Sequence, residues 1–205
     1  MNTIYVFVNG IMTFPGQSKN WTGRAVTWTQ VTTQAKAEKV EYWAGYLSRV
    51  VGQHKRAYKL YRTLAYYRGW NIVLVGHSNG ADVITDCLQG FYGLAPIQHV
   101  HLVCGACESD FARNGLNMAL AERRVGEVSV YCAGQDKALA WAHTWPGRLL
   151  GYGCIGLEGP TRVRPALASR VHVIQRGWED YGHSDCWGDD RFDDTMRMIT
   201  GTDIY

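Results

Sequence analysis

Apolar runs and amphipathic stretches alternate along the whole chain. The opening segment "TIYVFVNG" (3–10) is almost entirely apolar, which predicts a strand covered on both faces. Residues 21–35 predict a helix despite their threonines, and "KVEYW" (39–43) predicts a short strand. Between 46 and 67, Leu47, Val50, Val51, Tyr58, Tyr61, Leu64 and Ala65 recur at helical spacing, with Gly52 as a candidate break. The strand "NIVLVG" (71–76) precedes a helix whose apolar positions Ile84, Cys87, Leu88 and Phe91 follow the 3.6-residue period. Further on come the strand "HVHLVCG" (99–105), a helix over 116–124, the strand "EVSVYCAG" (127–134) and a helix from about Ala138. The strand "RVHVIQRG" (170–177) and a helix over 193–199 complete the series. Six strands joined by helix-length connections predict a single α/β domain over residues 1–205. It is a three-layer sandwich with a mostly parallel sheet and helices on both faces.

Composition narrows the partners. Apolar residues make up 46% and charged residues 19% of the 205 positions, as in ordinary globular domains. The 21 basic and 18 acidic residues leave a formal charge of only +3, so no global field favours nucleic acid or an anionic surface. Arg49, Lys55, Arg56, Lys59, Arg62 and Arg68 crowd one predicted helix, but most fall between its apolar positions, as on a solvated face. No run approaches the roughly 20 apolar residues that span a bilayer, and the N-terminal run is too short for a signal peptide. The expectation is a cytoplasmic protein with no membrane span and no nucleic-acid partner.

Six cysteines are spread through predicted strands, helices and loops, without the density of a disulfide scaffold. Cys104-x-x-Cys107 invites a zinc reading with His99 and His101. Strand alternation puts both histidines on one side and Cys104 on the other, so no metal or other cofactor is expected.

The chemistry concentrates at "GHSNG" (76–80). Ser78 stands between the buried run Ile72 to Val75 and an amphipathic helix, the setting in which a serine is presented at the apex of a tight strand-to-helix turn. Gly76 and Gly80 supply the room such a turn needs, and the helix beginning near Asn79 aims backbone N–H groups at the space above the hydroxyl. A serine hydroxyl needs a base and a carboxylate behind the base. His54 lies in the basic helix, His99, His101 and His172 in strands, and His143 in a helix, while the backbone of His77 would have to double back. His183 instead follows the last strand in the polar loop "WEDYGHSDCW", at the carboxyl edge of the sheet where Ser78 emerges. Asp136, in "GQDKAL", follows the preceding strand at the same edge. Asp110 follows the strand before that and is the alternative, and an N-cap role competes for either aspartate.

With "GHSNG", "GQDKAL" and "GHSDCW" in the order Ser, Asp, His, the chain resembles the α/β-hydrolase superfamily of esterases and lipases over almost its whole length. The resemblance implies a trimmed core lacking the two leading antiparallel strands. It also implies an oxyanion hole formed by the Asn79 amide and that of Ile11 or Met12, in the loop after the first strand. The activity implied is that of a serine hydrolase cleaving a small-molecule or lipid-like carboxylic ester through a Ser78–His183–Asp136 triad and an acyl-enzyme. A lipid esterase directed at the cell envelope, an acyltransferase of the same fold, and a non-catalytic binding protein that retains the fold are the alternatives. Only about two dozen residues connect "HVHLVCG" to "VSVYC", too few for a lid. Residues 147–169 and the aromatic side chains near His183 are expected to wall an open cleft.

Overall fold

The computed structural model describes residues 2–10, 20–42, 51–142, 151–175 and 177–202, together with 144, 147 and 149. Its centre is a six-stranded sheet built from β1 (Thr3–Val8), β2 (Lys36–Val40), β3 (Asn71–His77), β4 (Ile97–Val103), β5 (Val125–Tyr131) and β6 (Val171–Ile174). The order is β2-β1-β3-β4-β5-β6, and every neighbouring pair is parallel. Parallel pairing requires crossovers. These carry α1 (Trp21–Thr33), α2 (Gln53–Tyr66), α3 (Asn79–Gly90), α4 (Leu116–Ala121) and α5 (Lys137–Ala142), with α6 (Phe192–Thr200) after the last strand. No helix among the described residues is long and apolar enough to cross a membrane.

Two-residue alternation sorts the strand side chains into two cores. Ile4, Val6, Val8, Ile72, Leu74, Val100, Leu102, Val128 and Val130 pack beneath α2, α3 and α4. Tyr5, Phe7, Val73, Val75, Val103 and Tyr131 face the other way, against α1 and α6. The central strands read as continuous apolar runs because both faces are covered.

Several boundaries differ from expectation. β2 lies three residues earlier than "KVEYW", because it is an edge strand in which Ala37 and Val40 turn inward while Lys36 and Lys39 stay exposed. On α2 the buried stripe is Gln53, Arg56, Ala57, Leu60 and Leu64, whereas Val51, Tyr58 and Ala65 are exposed. Arg56 is therefore not on a solvated face: it donates to Gln53 and lies over the Tyr42 ring. Leu47 and Val50 lie outside the described residues. Gly52, at φ 84, is the N-cap of α2, and the helical segment expected before it lies largely outside the described residues. The β4–β5 connection holds only the six-residue α4, tied back by a bridge from Asp110 to Thr161.

The chain order reverses between β1 and β3, and ligand sites of open parallel sheets form at the carboxyl ends flanking such a reversal. Here that crevice is extremely tight. A Cβ on Gly80 would stand 2.3 Å from the Val8 carbonyl oxygen and 2.8 Å from that of Asn9, and one on Gly76 would stand 2.7 Å from Ile84 Cδ1 and 2.8 Å from the Ala81 nitrogen. Both glycines of "GHSNG" are thus required by close packing of β1, β3 and α3. Gly80→Ala should cost at least the roughly 1–3 kcal/mol of an overpacked core, because the obstructing atoms are backbone. At about 2–4 °C per kcal/mol for a chain of this size, the loss is readable by calorimetry. An unchanged melting temperature would refute this account of the turn.

Candidate active site

β3 runs straight into the turn that carries Ser78. The residue adopts φ 56 and ψ −124, a positive-φ conformation that costs a non-glycine residue on the order of 1–3 kcal/mol and persists only where its surroundings enforce it. Three backbone bonds do so. Ser78 N–H donates to the Val103 carbonyl (3.1 Å), and the Ser78 carbonyl accepts from Ala81 (3.1 Å) and Ala106 (3.0 Å). The side chain takes no part in capping α3, so its hydroxyl is left to face elsewhere.

It faces His183. Nε2 of that histidine lies 2.8 Å from Ser78 Oγ, and Nδ1 lies 2.7 Å from Asp136 Oδ2. The Asp136 side chain is fully buried and that of His183 is 23% exposed, so this hydrogen-bonded chain runs from the interior to the edge of solvent. The carboxylate also accepts from the Leu139 amide through Oδ1 (2.8 Å), at the start of α5. Cap and partner to His183 are therefore not competing roles: each oxygen serves one. Asp110 is elsewhere, accepting from the Ala112 amide and paired with Arg162 at 3.1 Å.

The loop bearing His183 is fastened in sequence to the β5–α5 turn. Gly134 N–H donates to Trp178 O and Gln135 N–H to Tyr181 O, both at 3.0 Å, so the chains that carry Asp136 and His183 run side by side. Gly182 N–H donates to Asp185 Oδ2 at 2.7 Å. The main-chain oxygen of His183 accepts from Nε2 of His77, 2.7 Å away. The residue before Ser78 thus holds the backbone of the residue that meets Ser78 Oγ, a role that spacing could not show because the partners are 106 positions apart. Burial, and after it the neighbouring His183, lowers the His77 pKa to about 3, so this imidazole is neutral and donates from Nε2.

Beside the hydroxyl, a Cβ on Gly10 would stand 2.9 Å from Ser78 Cβ and 3.4 Å from Oγ. The end of β1 therefore abuts the serine, with Asn9 fixed by its bonds to Tyr42 and Val40. Asn79 is buried at the first position of α3, where backbone N–H groups have no acceptor within the helix. Ile11 and Met12, expected as oxyanion donors, lie outside the described residues.

Among the described residues, the remaining histidines do not join this site. His54 stacks on Phe91, His99 bonds Ser129, His101 bonds Tyr131 and His172 bonds Glu127, while His143 lies outside the described residues. The alternation argument at Cys104 fails: β4 ends at Val103, and Cys104, at φ 44, turns into the same core as Val103 and Tyr131. Cys107 packs on the opposite side of the sheet. Of the aromatic residues near His183, Trp178 and Trp187 are buried behind its loop, while Tyr181 is half-buried and stacks on Trp178. Within 147–169, Tyr152, Cys154 and Leu157 pack with Ala106, Leu139 and Ala142, while Leu149 is exposed. An open depression of about 470 Å³ adjoins His183, lined by Gln135, Lys137, Ala138, Asp180, Gly182 and Asp185.

The architecture is the α/β-hydrolase fold. The chain superposes on a protein described as a hydrolase from Agrobacterium vitis with a TM-score of 0.59, at 12% identity over 98% of this chain and 87% of that one. A protein described as a hydrolase of the alpha/beta superfamily from Xanthomonas campestris pv. campestris matches at 0.55, with 14% identity over 97% and 96%. A cutinase-like protein from Cryptococcus sp. matches at 0.50, with 14% identity over 98% and 94%. Likeness at these identities carries the fold. No family model and no curated protein matches the sequence.

Proposed function

We propose that this protein is a serine hydrolase that cleaves a carboxylic ester through an acyl-enzyme. The observation that carries the reading is the hydrogen-bonded chain from Ser78 Oγ through His183 to the buried Asp136 carboxylate, with Ser78 held at positive φ at the head of α3. In this reading Ser78 Oγ attacks the ester carbonyl as His183 Nε2 takes its proton. Asp136 accepts from Nδ1–H, keeping the lone pair on Nε2 and stabilising the imidazolium that forms. The Asn79 amide, joined by that of Ile11 or Met12, holds the oxyanion, each such donor contributing about 3–4 kcal/mol to the transition state. His183 returns its proton to the leaving alcohol. The same residue then activates a water that releases the acid. The names of the structural neighbours, a cutinase-like protein among them, agree with an ester substrate.

A fluorophosphonate probe tests this directly, since it reacts only with an activated serine. Labelling of the native protein is expected at Ser78, together with turnover of p-nitrophenyl esters graded in acyl length. Modification at a different serine, or an unlabelled protein that still hydrolyses the esters, would overturn the reading.

A further inference from the structure

Behind the His183 loop, in the core shared with α1 and α6, three side chains with ligand chemistry converge. A ring nitrogen of His77 and the sulfurs of Cys104 and Cys186 all lie within 4.8 Å of one another, and all three residues are buried. They come from the last residue of β3, the residue after β4 and the short turn Asp185–Trp187 that follows His183. The positive φ of Cys104 is what turns its side chain out of strand alternation and into this group.

The histidine is prepared for a ligand's role. Nε2 donates to the His183 carbonyl at 2.7 Å, so in the neutral ring the lone pair resides on Nδ1. Ligating histidines characteristically donate their other nitrogen to a carbonyl or carboxylate, which fixes tautomer and ring orientation. Trp21 and Trp187 brace the ring, each with its centroid 5.9 Å away. Burial keeps the imidazole unprotonated, its pKa being near 3. The Cys104 thiol is pushed well up by its hydrogen bond to Cys186 and by burial.

We propose that His77, Cys104 and Cys186 form a binding site for one soft, closed-shell divalent cation of the zinc and cadmium class. Zinc–sulfur bonds of about 2.3 Å and zinc–nitrogen bonds of about 2.0 Å set ligand atoms roughly 3.5–3.8 Å apart, so binding draws this group together by on the order of 1 Å. Two thiols lose their protons to solvent, and the ion with two thiolates and a neutral imidazole carries no net charge. That neutrality suits an interior lined by indole rings. Two strand ends and the loop carrying His183 become joined through the ion.

Reduced protein, stripped with a chelator, is titrated to equilibrium with cadmium, following thiolate-to-metal charge-transfer absorption and proton release. One ion per chain and two protons are expected, with zinc competing for the site and raising the melting temperature. Cys104→Ala and Cys186→Ala should each abolish the stoichiometric phase, whereas Cys132→Ala, a buried thiol outside the group, should retain it. His77→Asn should weaken binding by at least the roughly 100-fold that loss of an outer partner can cost. Circular dichroism and thermal melts of each variant separate loss of the site from loss of the fold. Absence of stoichiometric binding in the parent protein, or its persistence in the Cys104→Ala/Cys186→Ala double variant, would overturn the proposal.

Discussion

Ser78→Ala is expected to lower kcat for ester hydrolysis by on the order of 10⁶, the loss seen when the nucleophile is removed from a unit of this kind. The fold should survive. Among the described residues Ser78 Oγ makes one hydrogen bond, to His183, and such a bond contributes about 1 kcal/mol net, or a few degrees in melting temperature. What fixes the turn is backbone bonding to Val103, Ala81 and Ala106, and alanine keeps all of it. Steady-state kinetics of the variant beside its thermal melt check both halves of the expectation. Turnover within about tenfold of the parent would mean that the attacking group is something else, since uniform binding effects do not reach 10⁶.

Asp136→Asn should come next, with a loss on the order of 10⁴ in kcat. The asparagine oxygen can still cap α5 at Leu139, which leaves the amide group to face His183 Nδ1. An NH₂ there turns Nδ1 into an acceptor and moves the imidazole proton to Nε2, the nitrogen that must take the proton from Ser78. Asp110→Asn is the matched control. It weakens an ion pair whose Arg162 partner is 75% exposed, worth at most about 1 kcal/mol, and should leave kcat within a few-fold. Kinetics on the two variants decide the assignment. Equal losses, or a larger one at Asp110, would place the carboxylate one strand earlier.

The parts of the molecule that were legible are those governed by short-range periodicity. Buried strands announce themselves as apolar runs, and in a parallel sheet each must be followed by a loop at the same edge. Residues 78, 136 and 183 could therefore be assigned to one edge without any knowledge of contacts. Where the reading failed, a longer-range or stereochemical cause is visible. On α2, aromatic residues drew the predicted stripe, yet Tyr58, Tyr61 and Phe91 pack against one another near the surface while Ala57 and Leu60 meet the sheet. β2 is an edge strand whose polar alternation gave too little contrast to set its register. The face chosen by Cys104 depends on one left-handed residue that is not glycine, and no composition rule marks such a residue. The bond from His77 to the His183 carbonyl links segments about half a chain apart, so only the tertiary structure could reveal it.

The three bonds that pin Ser78 also divide the site by mobility. Its amide and carbonyl belong to the same hydrogen-bonded lattice as β4 and α3, and regions so embedded open only with the molecule as a whole. His183 instead sits on a loop outside that lattice, held by two main-chain bonds to the β5–α5 turn and by the His77 ring on its carbonyl, and loops open locally at lower free energy than strands. In the proposed mechanism the attacking oxygen is thus the more firmly held partner and the proton carrier the more readily released one. Under mild denaturant the His183 loop is expected to open first, leaving a folded sheet with Ser78 still in its turn for as long as β3 and β4 stay paired.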